Sequence, residues 1–429
     1  MTLPPGPSMP RALQAIGWMQ RPLAFMERCQ RRYGDIFTLR ILHWGDWVLL
    51  CDPEDVKTIF TAGEKVGVDT ANPMLEPVLG PRSVMLLEEP EHMKRRKLML
   101  PPFHRQSIDA DAAMMAEVAR REVGRWPVGE PFELWPRMQA ITQEVVMRAV
   151  FGPDEEGRLD RLRGLLPELT EAMNDPAQMN RLFLFGPRWV SRSRRFRSAM
   201  APVEEELMAE VRRRRAEGDQ GRTDIVSMLV FARYEDGEEM SESDLRDELM
   251  TLLTDGPTSS SLAWTFERLL RHPEKLARTR AEARNGGGGD YLDAVIKETL
   301  RLRPVVPAVG RYLTAPLEIG PHLLPGGVYV NLSIVLLHRR PDLYPDPLAF
   351  RPERFLERPA GTYEWIPFGG GVRRCLGASF ALFEMKIVLR EILAHLRLRR
   401  LATPDEPVGR RAITFTPKRG GLIEVEAAA

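Results

Sequence analysis

The chain has 429 residues, of which 43% are hydrophobic and 28% charged, a balance that excludes a largely disordered polymer. Lys and Arg total 61 against 60 Asp and Glu, so the net charge of +1 gives no global basic excess for nucleic acid or an anionic membrane. Three cysteines, Cys29, Cys51 and Cys375, are too few for a disulfide framework and fit a reducing compartment.

No run of the ~20 apolar residues needed to span a bilayer occurs. The opening MTLPPGPSMP lacks the basic start and apolar core of a secretory signal, so a cytoplasmic protein is expected. Its prolines predict an extended arm over residues 1–10. Residues 11–33 read as helix. GDIFTLRILHWGDWVLLCDP then reads as a hairpin, with Phe37, Leu39 and Ile41 on one face and Gly45-Asp46 in the turn. Helical patterns dominate from there, at 109–125, 138–151, 158–173, 198–217 and 242–271. Strand character returns at 317–333 and 411–417, and Gly286–Gly289 forms a surface loop. The expected fold class is mainly α with small β-sheets, residues 11–429 forming one domain.

The most informative stretch is WIPFGGGVRRCLGASFALFEMKIVL, residues 365–389. Apolar positions at Leu382, Met385, Leu389, Ile392 and Leu396 step by three and four, which places Cys375 at a helix start behind Gly369, Gly370 and Gly371. Free N–H groups there, with Arg373 and Arg374, favour a thiolate. A dinucleotide fingerprint lacks its strand and third glycine, and a zinc site lacks a second ligand within range. Cys29 and Cys51 read as buried, inert thiols.

Phe368, Gly371, Arg373, Cys375 and Gly377, in that spacing, resemble the haem-binding signature of the cytochrome P450 haem-thiolate monooxygenases. The resemblance implies the P450 fold with a single haem domain, haem b as cofactor and Cys375 as its thiolate ligand, which pushes electron density onto iron. Further motifs resemble the family in order. Glu298 and Arg301, three apart on one face of DYLDAVIKETLRLR, look like its Glu-x-x-Arg, and Arg354 looks like the third partner of a structural network. Asp290 is expected to cap that helix and Pro304 to stop it. His92 and Arg96 resemble the pair that holds the haem propionates, and Arg311 the arginine that reaches one from a strand. Phe368, Gly369, Arg373 and Gly377 complete the cofactor contacts. Lys94, Arg95 and Lys97 are left as a basic patch for an acidic electron donor.

LMTLLTDGPTSSSLAW resembles the distal helix with two departures. Thr258 stands where the family has an acid, and Ser259 where it has the oxygen-side threonine. Pro257 predicts a kink. Asp255, four before Ser259, would share its helical face and serve as a surrogate proton source beside Thr258.

The activity implied is insertion of one oxygen atom from O2 into an apolar small molecule, such as a fatty acid, terpenoid or polyketide-like compound. Electrons would come from a ferredoxin or flavodoxin-type donor with its reductase, since no fused module is present. Two alternatives are a peroxide-driven haem-thiolate enzyme or isomerase, and a haem-containing binding or sensor protein without turnover. The resemblance places substrate walls at about 66–90 and 170–205, in the distal helix, at Val305, Val306 and Val309, and near Ile413. Arg181, Arg188 and the arginines within 192–197 read as solvated loop charges or as partners for a substrate carboxylate. The chain is expected to act as a monomer, without nucleic acid or a membrane span.

Overall fold

The computed structural model describes residues 2–68, 75–153, 157, 159–173, 175, 193–254, 257–286, 289–411 and 413–428. Residues 2–9 lie extended along the first strand. The Thr38 N–H donates to the Pro5 carbonyl at 2.9 Å and its hydroxyl to the Pro4 carbonyl at 2.8 Å. The approach is close enough that a Cβ on Gly6 would sit 1.9 Å from the Thr38 carbonyl oxygen.

Helices α1 (Arg11–Gln20) and α2 (Pro22–Tyr33) replace the single expected helix. Pro22 cannot return an N–H to the preceding turn, and it opens a new helix instead. Strands β1 (Ile36–Ile41) and β2 (Gly45–Leu50) form the hairpin. Its turn is Leu42–Trp44 rather than Gly45-Asp46. His43 takes a positive φ of 66° there, and Gly45 and Asp46 already pair with Ile41 and Arg40. Next come α3 (Pro53–Thr61), β3 (Val66–Gly67), α4 (Glu76–Leu79), α5 (Glu91–Met99), α6 (Arg105–Ala110) and α7 (Ala112–Val123). They are followed by β4 (Pro131–Glu133), α8 (Leu134–Phe151), α9 (Asp160–Met173), α10 (Arg194–Glu217) and α11 (Ile225–Val230).

The stretch 242–271 is two helices rather than one kinked helix, α12 (Glu242–Leu253) and α13 (Thr258–Leu270). Thr254 is extended, with ψ 115°, and Pro257 precedes the first turn of α13. Proline has no N–H for the Leu253 carbonyl and disfavours helix in the residue before it, so the chain stops and restarts. Then follow α14 (Pro273–Asn285), α15 (Asp290–Leu302), β5 (Ala308–Leu313), β6 (Leu317–Ile319), β7 (His322–Leu324) and β8 (Tyr329–Ser333). Gly289, not Asp290, occupies the cap of α15, and Asp290 is its first helical residue. The chain ends through α16 (Ile334–Leu337), α17 (Arg354–Glu357), α18 (Ala378–His395), β9 (Leu396–Arg400), β10 (Val408–Arg411), β11 (Thr414–Pro417) and β12 (Leu422–Ala428).

The largest sheet runs β1-β2-β8-β5-β3, and smaller sheets pair β4-β12-β9, β10-β11 and β6-β7. One apolar core lies among α7, α8, α13, α15 and α18, where Met115, Ile141, Leu262, Val295 and Leu389 are fully buried. A second lies under the large sheet, around Phe37, Leu39, Ile41 and Val330.

One buried ionic cluster ties these layers together. Arg301 meets Glu298 in a fork, Nε to Oε2 at 2.6 Å and Nη2 to Oε1 at 2.8 Å, with both side chains fully buried. Arg354 Nε donates to Glu298 at 3.1 Å, and the Arg351 N–H donates at 2.8 Å. Carbonyls of His338, Pro347 and Ala349 accept the remaining Arg301 donors, and the Pro345 carbonyl accepts from Arg354. Glu298→Ala removes the counter-charge of two buried guanidiniums and is expected to cost about 3–5 kcal/mol, whereas cutting the exposed Lys57–Glu54 pair costs under ~1 kcal/mol. Urea midpoints of Glu298→Ala and Lys57→Ala check this. Equal midpoints would mean that the cluster does not hold the fold.

Candidate active site

Cys375 stands three residues before α18, in the loop that leads into the helix. Its N–H donates to the Phe368 carbonyl at 3.0 Å and closes the loop on itself. Gly369 and Gly371 take φ of 68° and 66°, a region other residues rarely adopt. Packing adds a second demand. A Cβ on Gly370 would lie 2.4 Å from the Phe60 ring, and one on Gly371 2.8 Å from the Phe60 carbonyl oxygen. The glycine run is therefore pressed against the end of α3.

Burial pushes the Cys375 thiol up, while the Gly377 N–H and the charges of Arg374 and Arg96 pull it down. The residue nevertheless presents accessible surface. The two observations agree if that surface belongs to a recess inside the fold, where protein atoms crowd the sulfur on most sides.

Three arginines and a histidine gather around this loop. His92, on α5, is buried, with Nδ1 2.7 Å from Glu89 Oε1. Arg96 lies one turn further along α5 and is half-buried. Arg373 Nη2 is buried without a hydrogen-bond partner, at 3.8 Å from both Glu88 and Glu89. Arg311 reaches in from β5, with Nη1 on the Gly310 carbonyl at 2.7 Å. Burial and the Arg373 charge push Arg311 down to about 10. Burial, then Arg373, lowers His92, and burial lowers Arg96 and Arg373. Three desolvated guanidiniums that depress one another, with His92 kept uncharged beside them, make a set suited to a ligand with carboxylates. A haem fits this set: a thiol for its iron, and three guanidiniums with an imidazole for its carboxylates.

The distal segment is only partly described. Thr258 and Ser259 are the first two residues of α13, and Ser259 is buried. Trp135 Nε1 donates to Ser260 Oγ at 2.9 Å, and Ser261 Oγ to the Pro257 carbonyl at 2.9 Å. Asp255 lies outside the described residues, as do Arg181, Arg188 and Arg192. Among the described residues, α12 ends at Leu253 and α13 begins at Thr258. Val305 is buried, and its carbonyl accepts the Phe415 N–H at 2.7 Å. Val306, Val309 and Ile413 are half-buried, and Val309 lies beside Gly369. Arg194, Arg195 and Arg197 are exposed in the first turn of α10.

The basic run on α5 is not a free patch. Arg95 is buried, bound to Asp244 at 2.7 Å, Glu248 at 2.9 Å and the Tyr234 hydroxyl at 2.7 Å. Lys94 pairs with Glu91 at 2.9 Å and Lys97 with Glu235 at 2.8 Å. Acids and a tyrosine distant in sequence supply the partners of Arg95 and Lys97, so a count of Lys and Arg along α5 could not find them. A groove of about 1440 Å³ between α7, α8 and α11 lies apart from Cys375, and its Arg148, Glu117 and Glu144 pair with one another.

Sequence inspection also missed His338. Its Nε2 accepts the Ile366 N–H at 3.0 Å, so the ring proton is assigned to Nδ1. Burial and nearby Arg301 push His338 down to about 3, which keeps it neutral. It thereby links the buried ionic cluster to the loop that carries Cys375.

Comparison with known proteins agrees with this geometry. The family model described as Cytochrome P450 matches residues 3–423. Cytochrome P450 135B1 of Mycobacterium tuberculosis is 42% identical, over 100% of this chain and 92% of that protein. Cytochrome P450 138 of Mycobacterium bovis is 35% identical, over 98% and 96%. The fold superposes on a retinoic acid bound cyanobacterial CYP120A1 with a TM-score of 0.86, covering 100% of both chains at 22% identity. A family match along nearly the whole sequence, with relatives of this identity and coverage, means that the chain belongs to the cytochrome P450 family of haem-thiolate monooxygenases.

Proposed function

We propose that this chain binds haem b through Cys375 and inserts one oxygen atom from O2 into an apolar small molecule. The observation that carries the reading is Cys375, held in a glycine loop with the Gly377 N–H at its sulfur and His92, Arg96, Arg311 and Arg373 around it. When bound, the haem supplies the redox chemistry that activates O2.

The protein's part is electrostatic and steric. Gly377, Arg374 and Arg96 stabilise the thiolate against its burial. Arg96, Arg311 and Arg373, with His92 beside them, would hold the propionates. Phe368 and Gly369 cover the thiolate side, and Val306, Val309 and Ile413 offer apolar surface to the substrate. Ser259, at the start of α13, is the hydroxyl that hands on protons, with Thr258 and Asp255 beside it in sequence. A fatty acid, terpenoid or polyketide-like substrate suits such walls. Electrons come from a ferredoxin or flavodoxin-type donor with its reductase.

The reduced protein with carbon monoxide is expected to show the long-wavelength Soret band of thiolate ligation. Cys375→His should lose it, and an imidazole-type spectrum from the wild type would sink the assignment. Arg311→Ala and Arg96→Ala each remove one charge-assisted bond, worth about 1.5–3 kcal/mol, so haem retention should fall at least ~10-fold. Haem transfer to apomyoglobin measures this, and unchanged transfer rates would remove these residues from the cofactor contacts.

Because Glu91 and Glu235 already neutralise Lys94 and Lys97, Lys94→Gln with Lys97→Gln should change reduction by a ferredoxin donor by less than ~5-fold. Stopped-flow reduction tests this, and a collapse of the rate would return the docking site to α5.

A further inference from the structure

Helix α1 has apolar residues on two sides. Its inner side buries Ala15 and Trp18 with Gln14, against the β1–β2 hairpin. There the Gln14 side-chain carbonyl accepts the Arg40 N–H at 2.8 Å, and the Trp18 ring meets Trp47 edge-on at 5.5 Å. The outer side is apolar as well. Leu13 is 53% exposed and Ile16 46%, and Met9, just before the helix, is 40% exposed. Leu13 and Ile16 are three apart and share one face, with exposed Ala12 beside them. A surface helix needs one apolar face for its core, so the second has no use in folding.

Helix α2 packs beside α1. A Cβ on Gly17 would come within 3.0 Å of the Phe25 ring, so the two helices touch there. Phe25, Met26 and Cys29 form the buried side of α2. Arg28, Arg31 and Arg32 are exposed on its other side, and Arg21 is exposed where the two helices join. Among the described residues, no acid lies within ion-pair distance of these four. The acids of this region are taken: Glu27 binds Arg339, Asp35 binds Arg340 and Asp46 binds Arg11. A basic last turn offsets the helix dipole, which accounts for Arg31 and Arg32. It does not account for Arg28, or for Arg21, which stands at the N-cap of α2 where a positive charge is unfavourable.

We infer that α1 and α2 dock this protein on the surface of an anionic lipid bilayer. Met9, Leu13 and Ile16 would enter the acyl boundary, and Arg21, Arg28, Arg31 and Arg32 would meet the phosphates. An exposed apolar stripe beside unpaired guanidiniums is the pattern of helices that lie in the interface plane, and the charge selects an anionic surface. Neither helix crosses the bilayer, with 10 and 12 residues against the ~20 required. The net charge of the whole chain hides this surface, because the excess is local: Arg11–Tyr33 holds five arginines and one acid, Glu27.

Flotation of the full-length holoenzyme with vesicles tests the docking. The protein is expected to float with phosphatidylglycerol vesicles at low salt, to be released as salt rises, and to stay behind with pure phosphatidylcholine. Leu13→Glu with Ile16→Glu should weaken binding at least ~10-fold. Arg28→Gln with Arg31→Gln should weaken it about 25-fold, at roughly fivefold per guanidinium near an anionic surface. All four positions are exposed, so the unfolding midpoints of both variants should match the wild type, which separates lost binding from lost fold. No flotation of the wild type, or undiminished flotation of both variants, overturns the inference. A lipid-free dimer that Leu13→Glu with Ile16→Glu dissociates also overturns it, and makes the face a contact between copies of this chain. Slower reduction by an acidic ferredoxin in the arginine variant, without vesicle binding by the wild type, overturns it in favour of a protein partner.

Discussion

Two guanidiniums converge on the Glu298 carboxylate, and the rest of the molecule is arranged around that contact. Taken alone the cluster carries an excess positive charge, with Glu298 and Arg301 fully buried and Arg354 nearly so. Carbonyl oxygens of His338, Pro347 and Ala349 accept the Arg301 donors that Glu298 does not, and the Pro345 carbonyl accepts from Arg354 Nη1. Those carbonyls belong to the segment after β8. The cluster therefore fixes an otherwise irregular stretch of chain against α15, which no apolar packing could do with comparable directional precision.

From there a chain of hydrogen bonds runs to the thiol. Arg301 donates to the His338 carbonyl, and the His338 ring accepts from Ile366 N–H. The Ile366 carbonyl accepts from Gly369 N–H, and the Phe368 carbonyl from Cys375 N–H. Each bond is modest, on the order of 1 kcal/mol net. Together they define where the sulfur stands relative to the core. Pressure from Phe60 on Gly370 and Gly371 closes the loop from the opposite side. The neutral state of His338 matters here, because a protonated ring could not accept from Ile366.

The cation group near Cys375 follows a different principle. Arg96, Arg311 and Arg373 are partly desolvated and lie near one another and near the uncharged His92, with Glu88 and Glu89 offsetting Arg373. Such an arrangement costs stability in the free protein and gains it on binding a ligand with carboxylates. The contrast with Arg95 is instructive. That residue lies in the same helix but has Asp244, Glu248 and Tyr234 within hydrogen-bond reach, so its charge is spent on joining α5 to α12.

Much of this was legible in the sequence, and the reason is locality. The Cys375 loop, the Glu298–Arg301 spacing, the His92–Arg96 pair and the helix periodicities all depend on residues within a few positions of each other. Steric and hydrogen-bond rules act on that scale directly. Tertiary structure alone decided which charges were free, because the partners of Arg95 lie about 150 residues away and those of Lys97 about 140. It also decided that His338 holds Ile366 and that Phe60 enforces the glycines, contacts across 28 and some 310 positions. Local backbone chemistry determines elements and motifs, whereas burial, and with it the state of every charge, is a property of the assembled volume.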